Sequence, residues 1–188
     1  MLKPKDYDRV AASLTFEPLT LGGHACIIKG VEETKTKATG KDMLKLALDI
    51  APDDPQAGYY QDRFDNDDRP NKKWPCVTYI VTEDKDGNCS RNLAGFVTSV
   101  EESNPGFAFP WDHVGYLVGK RVGGVFGQEE YMNDKGEIKK ATKLFWFRDV
   151  AKVKDAPVPK LKEYKAATRT PASQVNSFAD ISADDIPF

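Results

Sequence analysis

The strongest constraint on the fold is a strict alternation of apolar and less apolar side chains over residues 42–50. A repeat of two residues puts every second side chain on the same side of a β-strand. We therefore expect a half-buried strand here. Its apolar face consists of Leu44, Leu46, Leu48 and Ile50, and its other face of Met43, Lys45, Ala47 and Asp49.

Four further runs carry strand signals, which are β-branched or aromatic residues bounded by turn residues. Residues 22–36 and 74–82 predict the first and third strands, on either side of the alternating run. Residues 120–132 and 141–153 predict a closing hairpin, because residues 133–136 have a turn composition.

One amphipathic helix is predicted between the third and fourth strands. Ser90 is suited to cap its N-terminus, and residues 104–106 are suited to end it. Apolar residues recur at helical spacing between these two signals. They are Leu93, Phe96, Val97 and Val100.

The element order is therefore strand, strand, strand, helix, strand, strand. This is the order of the OB-fold, a small Greek-key barrel that commonly binds oligonucleotides. We predict a mainly β fold class: a five-stranded OB-fold barrel with one amphipathic helix between strands 3 and 4, plus a disordered C-terminal tail. Residues 51–73 form a long excursion between strands 2 and 3, and long loops often carry function.

The composition changes after residue 155. Proline recurs among Lys, Glu, Ala, Thr and Ser with little that can pack, which predicts a disordered linker over residues 156–183. We divide the chain into an OB-fold core at residues 1–155 and a linker with an acidic tip at residues 156–188. The charge is divided as well, because all 27 Lys and Arg precede Thr170 whereas Asp180, Asp184 and Asp185 follow it.

Composition also excludes several classes of protein. No apolar run approaches the roughly 20 residues of a membrane span, and the start of the chain lacks the apolar stretch of a signal peptide. We therefore expect no membrane association and a cytoplasmic location. Cys26, Cys76 and Cys89 form no C-x-x-C pair and have only His24 and His113 as additional ligands, which favours reduced thiols over a zinc site.

Catalytic motifs such as the P-loop, G-x-S-x-G and H-E-x-x-H do not occur in the sequence. Asp65, Asp67 and Asp68 raise the alternative of a metal-dependent nuclease. That alternative is disfavoured because these residues share a loop with Arg69 and Pro70, and no second carboxylate group pairs with them. We expect a protein that is not an enzyme and that uses no metal or cofactor.

The last five residues, Asp184, Asp185, Ile186, Pro187 and Phe188, resemble the acidic tip of bacterial and phage single-stranded DNA-binding proteins. In that family the tip docks replication and repair enzymes: the Phe enters an apolar pocket and the acidic residues face a basic rim. A mobile aromatic anchor with concentrated negative charge suits such a pocket. The resemblance implies that these five residues, together with Asp180, bind partner enzymes. The alternative is an acidic end that only increases solubility.

The core also resembles a group of phage and integrative-element proteins. The shared runs lie at residues 30–33, 71–75, 100–106 and 117–126, and the resemblance covers most of residues 20–153. It implies DNA binding.

A sequence-tolerant single-strand binder needs base-stacking aromatic rings beside a basic groove. Aromatic and basic residues are interleaved in the excursion and after the helix, and lysines cluster at the first and last hairpins, where OB-folds place ligand-gripping loops. Each candidate has a bland alternative, because strand aromatics commonly pack in a core and hairpin charges are commonly only solvated. The candidate DNA-binding residues are Lys35, Lys37, Lys41, Tyr59, Tyr60, Arg63, Phe64, Arg69, Lys72, Lys73, Trp74, Phe109, Trp111, Lys139, Lys140 and Lys143.

Together, these patterns and the two resemblances imply a non-sequence-specific single-stranded DNA-binding protein of a phage or mobile element. It would act in DNA replication or recombination in a bacterial host cell and recruit enzymes through its tail. The alternative is an adaptor or inhibitor that occupies a host enzyme's pocket with the tail and does not itself bind DNA. Both interpretations leave open whether the chain forms a homo-oligomer.

Overall fold

The computed structural model of the chain describes residues 17–165. Its main element is one antiparallel sheet of five strands, in the order β3-β2-β1-β4-β5. Two α-helices and two short 3-10 turns accompany the sheet in this part of the chain. The strands are β1 (Gly22–Lys35), β2 (Asp42–Ile50), β3 (Val77–Val81), β4 (Arg121–Met132) and β5 (Ile138–Arg148).

Strand β2 has the bounds that the alternation predicts, and its apolar face is buried in the core. Leu46 and Leu48 are fully enclosed there, and they pack with Phe96 and Phe126. The opposite face of β2 is only half-buried up to Ala47. The two-residue alternation of β2 therefore identifies which side of the sheet faces the core.

Strand β5 is shifted toward the N-terminus relative to the predicted range of 141–153. The preceding turn is tight, because Asn133 N–H donates to the Glu137 carbonyl at 2.9 Å and pairing starts at once at Ile138. The strand ends at Arg148, and the Asp149 carboxylate then accepts a hydrogen bond from Lys152 N–H at 2.9 Å. This side-chain bond turns the chain away from the sheet.

Along the chain, the five strands follow one another as predicted. The predicted OB-fold barrel also requires that the two ends of the sheet pair with each other. Strands β3 and β5 are the two ends of the hydrogen-bonded order. Among residues 17–165 no strand pairing joins β3 to β5. The described architecture is therefore a mainly β protein with a five-stranded antiparallel sheet.

The predicted helix is present as α2 (Arg91–Ser103). Ser90 caps it, since the Ser90 hydroxyl accepts a hydrogen bond from Leu93 N–H at 3.1 Å. Asn104 ends it and ties it to β4: the Asn104 amide donates to the Arg121 carbonyl at 2.8 Å and accepts from Arg121 N–H at 3.0 Å. The apolar stripe, with Phe96 and Val100 fully buried, packs against β4 and β5.

The excursion contains a short helix, α1 (Tyr59–Asp65), that the sequence did not predict. The backbone N–H groups at its N-terminus bond to a residue that is distant in sequence. The buried Asp49 carboxylate accepts hydrogen bonds from Tyr60 N–H at 3.0 Å and Gln61 N–H at 3.3 Å. A cap 11 residues upstream leaves no local capping signal in the sequence.

Residues 156–165, assigned above to the linker, lie along β4. Lys162 N–H donates to the Gln128 carbonyl at 3.0 Å, and Glu130 N–H donates to the Lys162 carbonyl at 2.9 Å. Strand β1 pairs with β4 only as far as Phe126, so the rest of β4 has backbone groups available on that side. The folded part therefore extends ten residues beyond the predicted boundary at 155, and residues 166–188 lie outside the described residues.

No helix within residues 17–165 is long and apolar enough to cross a membrane.

Candidate nucleic-acid interface

Trp74 is held in one orientation at the junction between the excursion and β3. Its indole Nε1–H donates a 2.7 Å hydrogen bond to the main-chain carbonyl of Leu48 in β2. The half-buried ring of Phe64, in α1, lies 5.3 Å away between centroids at an interplanar angle of 39°. The fold thus brings together two aromatic candidates that are ten positions apart in the chain.

Two lysines lie over these rings. Lys72 Nζ is 4.5 Å from the centroid of Phe64, and Lys29 Nζ is 6.0 Å from the centroid of Trp74. Both distances are within the range of cation–π attraction. Neither ammonium forms an ion pair with a carboxylate in the described part of the chain, so both charges remain available to an anion.

Lys29 is a candidate site residue that the sequence did not indicate. The pairing of β1 with β2 shifts register between Ile28 and Gly30, so Lys29 is the extra residue of a β-bulge. A bulge re-aims the side chain it carries, and Lys29 is exposed beside Trp74. The glycine next to it was the available sequence signal, because glycine inside a strand often marks a bulge.

Tyr79 in β3 is an exposed aromatic residue that the sequence analysis did not single out. It is 55% exposed and pairs across the sheet with Lys45 of β2. Lys45 in turn forms a 2.7 Å ion pair with Glu32 of β1, and this hydrogen bond raises the pKa of the Lys45 ammonium. If the two-residue alternation of β2 is applied to β3 as well, it places Lys45 and Tyr79 on the side of the sheet that faces away from the core. We call Lys29, Phe64, Lys72 and Trp74 the aromatic face.

The two tyrosines of α1 have different environments. Tyr60 is 6% exposed, and burial raises the pKa of its hydroxyl, which is hydrogen-bonded to the Cys76 thiol. Tyr60 is therefore a core residue and cannot stack on a base in this conformation. Tyr59 stands edge-on to it at 5.0 Å and receives a 3.0 Å hydrogen bond from Arg63.

Most of the remaining predicted cations are engaged with acceptors. Lys35 pairs with Asp42 at 2.6 Å, and Lys41 Nζ donates to the Asp84 carbonyl. Arg69 binds Asp67 through two nitrogens, and this contact lowers the pKa of Asp67 to about 2. Such exposed pairs exchange readily with other anions but reduce the local positive charge.

The last hairpin shows the same pattern. Lys139 lies 3.4 Å from Glu137, and Lys140 lies 3.9 Å from Glu130. The other predicted cations lie on the surface, and they are Lys37, Lys73 and Lys143.

Phe109 and Trp111 lie in the segment between α2 and β4. Phe109 is 6% exposed and packs on Phe96 at 6.2 Å, so it is a core residue rather than a stacking platform. Trp111 is 66% exposed and lies 4.5 Å from Phe109. The sequence could not distinguish the buried ring from the exposed one, because the two residues flank the same proline, Pro110.

Other chemistry in residues 17–165 is sparse. No group of three His, Cys, Asp or Glu side chains there is placed to hold a metal ion. Cys26 and Cys76 are buried free thiols, whereas Cys89 is exposed. The predicted partner-binding residues, Asp180, Asp184, Asp185, Ile186, Pro187 and Phe188, lie outside the described residues.

In comparisons with protein-family models and with curated protein sequences, none matches this chain. The chemistry of the aromatic face follows from its geometry: flat rings beside unpaired ammonium groups can accept stacked bases next to phosphates.

Proposed function

We propose that this chain is a non-sequence-specific single-stranded DNA-binding protein with an OB-fold core. It acts in phage or mobile-element DNA replication or recombination, in the cytoplasm of a bacterial host cell. The order of the strands and the helix between β3 and β4 support the OB-fold. It works by binding alone, without catalysis, metal or cofactor.

The observation that carries the proposal is the fixed Trp74 ring with Lys29 over it and Phe64 and Lys72 beside it. Base stacking on an aromatic ring tolerates any sequence because every base has a π-face. The ammonium groups supply phosphate contacts that are equally independent of sequence. OB-folds commonly bind oligonucleotides on the face of strands 2 and 3, and the aromatic face lies next to β2, to which Trp74 is tied through the Leu48 carbonyl.

The two basic hairpins extend this surface in the proposal. Lys37 and Lys41 lie in the β1–β2 connection, and Lys139 and Lys140 lie beside the β4–β5 turn. OB-folds commonly grip a nucleic acid with these two loops. We expect their carboxylate-paired lysines to contribute less than Lys29 and Lys72, because phosphate must replace an existing partner.

The test is a titration of the full chain with a labelled oligothymidylate and with a duplex of equal length, at about 50 mM and about 200 mM salt. We expect binding of the single strand to weaken steeply with salt, and the duplex to bind less tightly. The double variant Lys29→Ala/Lys72→Ala should flatten the salt dependence. Lys160→Ala, which removes an exposed lysine outside the aromatic face, is the control for the loss of a surface charge. Equal affinity for duplex, or a flat salt response, would contradict the proposal.

The tip of the chain recruits replication or repair enzymes in the same proposal, which here rests on the sequence of residues 180–188. Deleting Phe188 removes the apolar anchor and leaves the three acidic residues in place. We expect the deletion to abolish binding to purified host enzymes that act on single strands, with DNA affinity almost unchanged. Unchanged enzyme binding would identify the tip as a solubility device. A chain that binds such an enzyme but no DNA would be an adaptor.

A further inference from the structure

A shallow cavity of about 400 Å³ lies at the C-terminal end of α2, outside the aromatic face. Phe107 lines it, and Lys120 Nζ lies 4.4 Å from the centroid of that ring. Among residues 17–165 no acidic side chain lines the cavity. In the described part of the chain its lining consists of Ser103, Asn104, Pro105, Gly106, Phe107 and Lys120.

The walls of this cavity are held rigidly. Asn104 is bonded through its side chain to both backbone groups of Arg121, at 2.8 and 3.0 Å. Phe107 N–H donates to the Asn104 carbonyl at 2.9 Å, which closes the turn that carries the ring. A preorganised wall lowers the entropic cost of binding a ligand against it.

The cavity is connected to the aromatic face through the backbone of β1. Ile28 N–H donates to the Lys120 carbonyl at 2.9 Å, and on its other side Ile28 pairs with Leu48 of β2. The Leu48 carbonyl holds Trp74. Two strand spacings of about 4.8 Å therefore separate the Lys120 backbone from β2, whose Leu48 carbonyl holds Trp74. Lys29 is the residue that follows Ile28.

We infer that this cavity is a second nucleotide-binding position for the same single strand, in which a base lies against Phe107 and a phosphate contacts Lys120. The inference rests on the proposed function of the aromatic face. A ring with an ammonium over it repeats the chemistry of Phe64 with Lys72, and the absence of acidic lining favours a polyanion. One protein chain then holds a single DNA strand at two positions, and β1 lies between these positions.

Oligonucleotide length separates the two positions. We would titrate the full chain with oligothymidylates of about 4 and about 12 nucleotides, which bracket the site sizes of OB-folds. Trp74→Ala should weaken the binding of both lengths. Lys120→Ala should weaken only the longer one, on the order of fivefold, and should lower its salt slope by about one.

Three further variants complete the test. Lys120→Arg keeps the charge and should retain the affinity for the longer strand, whereas Lys120→Gln should behave like Lys120→Ala. Lys160→Ala is the matched loss of an exposed lysine and should leave both affinities unchanged. These variants should fold normally, because the hydrogen bonds of Lys120 to Ile28 and Leu117 are made by its backbone, which the substitutions keep.

The results distinguish the two proposals. If Lys120→Ala matches Lys160→Ala on both lengths, or weakens both lengths equally, the second position is wrong while the aromatic face stands. If the wild-type chain binds neither length, the aromatic face and the second position are both wrong.

Discussion

The indole nitrogen of Trp74 donates a 2.7 Å hydrogen bond to the carbonyl of Leu48, a residue 26 positions earlier in the chain. This bond joins the excursion to β2 and sets the angle at which the indole ring meets solvent. The same carbonyl belongs to a residue whose side chain is fully buried. The orientation of the proposed stacking surface is therefore coupled to the core of the sheet.

Replacing Trp74 with Ala should weaken single-strand binding by about 1 to 3 kcal/mol, the range found when one stacking platform is removed. Trp74→Phe keeps an aromatic ring but loses the bond to Leu48, so it should retain part of the affinity and cost about 1 kcal/mol in stability. Fluorescence anisotropy gives the affinity, and urea unfolding gives the stability. If Trp74→Ala leaves affinity intact while the protein melts earlier, the ring only packs.

Truncation of the neighbouring residues Asp53 and Asp54 to alanine should lower the free energy of unfolding by very different amounts. Buried Asp54 accepts hydrogen bonds from His24 Nδ1 at 3.0 Å and from Ala25 N–H at 3.2 Å. Asp54→Ala leaves these buried groups without an acceptor and should cost about 2 to 4 kcal/mol. Asp53→Ala breaks an exposed pair with Arg121 and should cost less than about 1 kcal/mol.

Urea unfolding of both variants measures this difference, and each variant loses the same charge. Equal losses for Asp53→Ala and Asp54→Ala would show that the buried pair with His24 does not anchor the excursion.

A methyl group should be tolerated at one β1 glycine and not at another. At Gly23 an added Cβ would lie 1.7 Å from the Val153 carbonyl oxygen, so the backbone that crosses β1 would have to move. Gly23→Ala should cost about 3 kcal/mol or more. At Gly30 the nearest atom would be the Ala47 Cβ at 3.6 Å, an ordinary contact, so Gly30→Ala should change stability by less than about 1 kcal/mol.

Thermal melting compares the two alanine variants under the same conditions. A destabilised Gly30→Ala with an unaffected Gly23→Ala would contradict the packing of residues 153–155 over β1.

Only one of the three cysteines should react with iodoacetamide in the folded chain. Cys89 is exposed, whereas burial raises the pKa of Cys76 to about 12 and also raises that of Cys26. Intact mass should therefore show one adduct at pH 8 and three after unfolding, and Cys89→Ser should show none before unfolding. Labelling of Cys76 without denaturant would mean that the core opens beside Tyr60.

The same burial makes stability depend on alkaline pH. Above pH 9.0, the ordinary thiol value, the unfolded chain loses the Cys76 proton while the folded chain keeps it. The unfolded form then binds fewer protons, so the free energy of unfolding should fall as pH rises from 9.0 toward about 12. Cys76→Ala should reduce this fall. A stability that rises with pH over this interval would contradict the buried, protonated thiol.

Several features were predictable from the sequence because they depend on residues close together in the chain. The alternation from Leu44 to Ile50 produced β2 with its predicted bounds and its buried face. Ser90 and the spacing of Phe96 and Val100 produced α2 in the same way. Side-chain period and local capping act within a few residues, so they are visible without the fold.

Tertiary structure decided the features that depend on distant partners. Helix α1 needs the Asp49 carboxylate, and residues 156–165 need the free side of β4. Sequence placed Phe109 and Trp111 in one candidate group, and only packing against Phe96 separates the buried ring from the exposed one. Lys29 reaches Trp74 because a register shift against β2 makes it a bulge. Local pattern determines which element forms, but burial and register are set by contacts between elements, and these contacts exist only once the chain has folded.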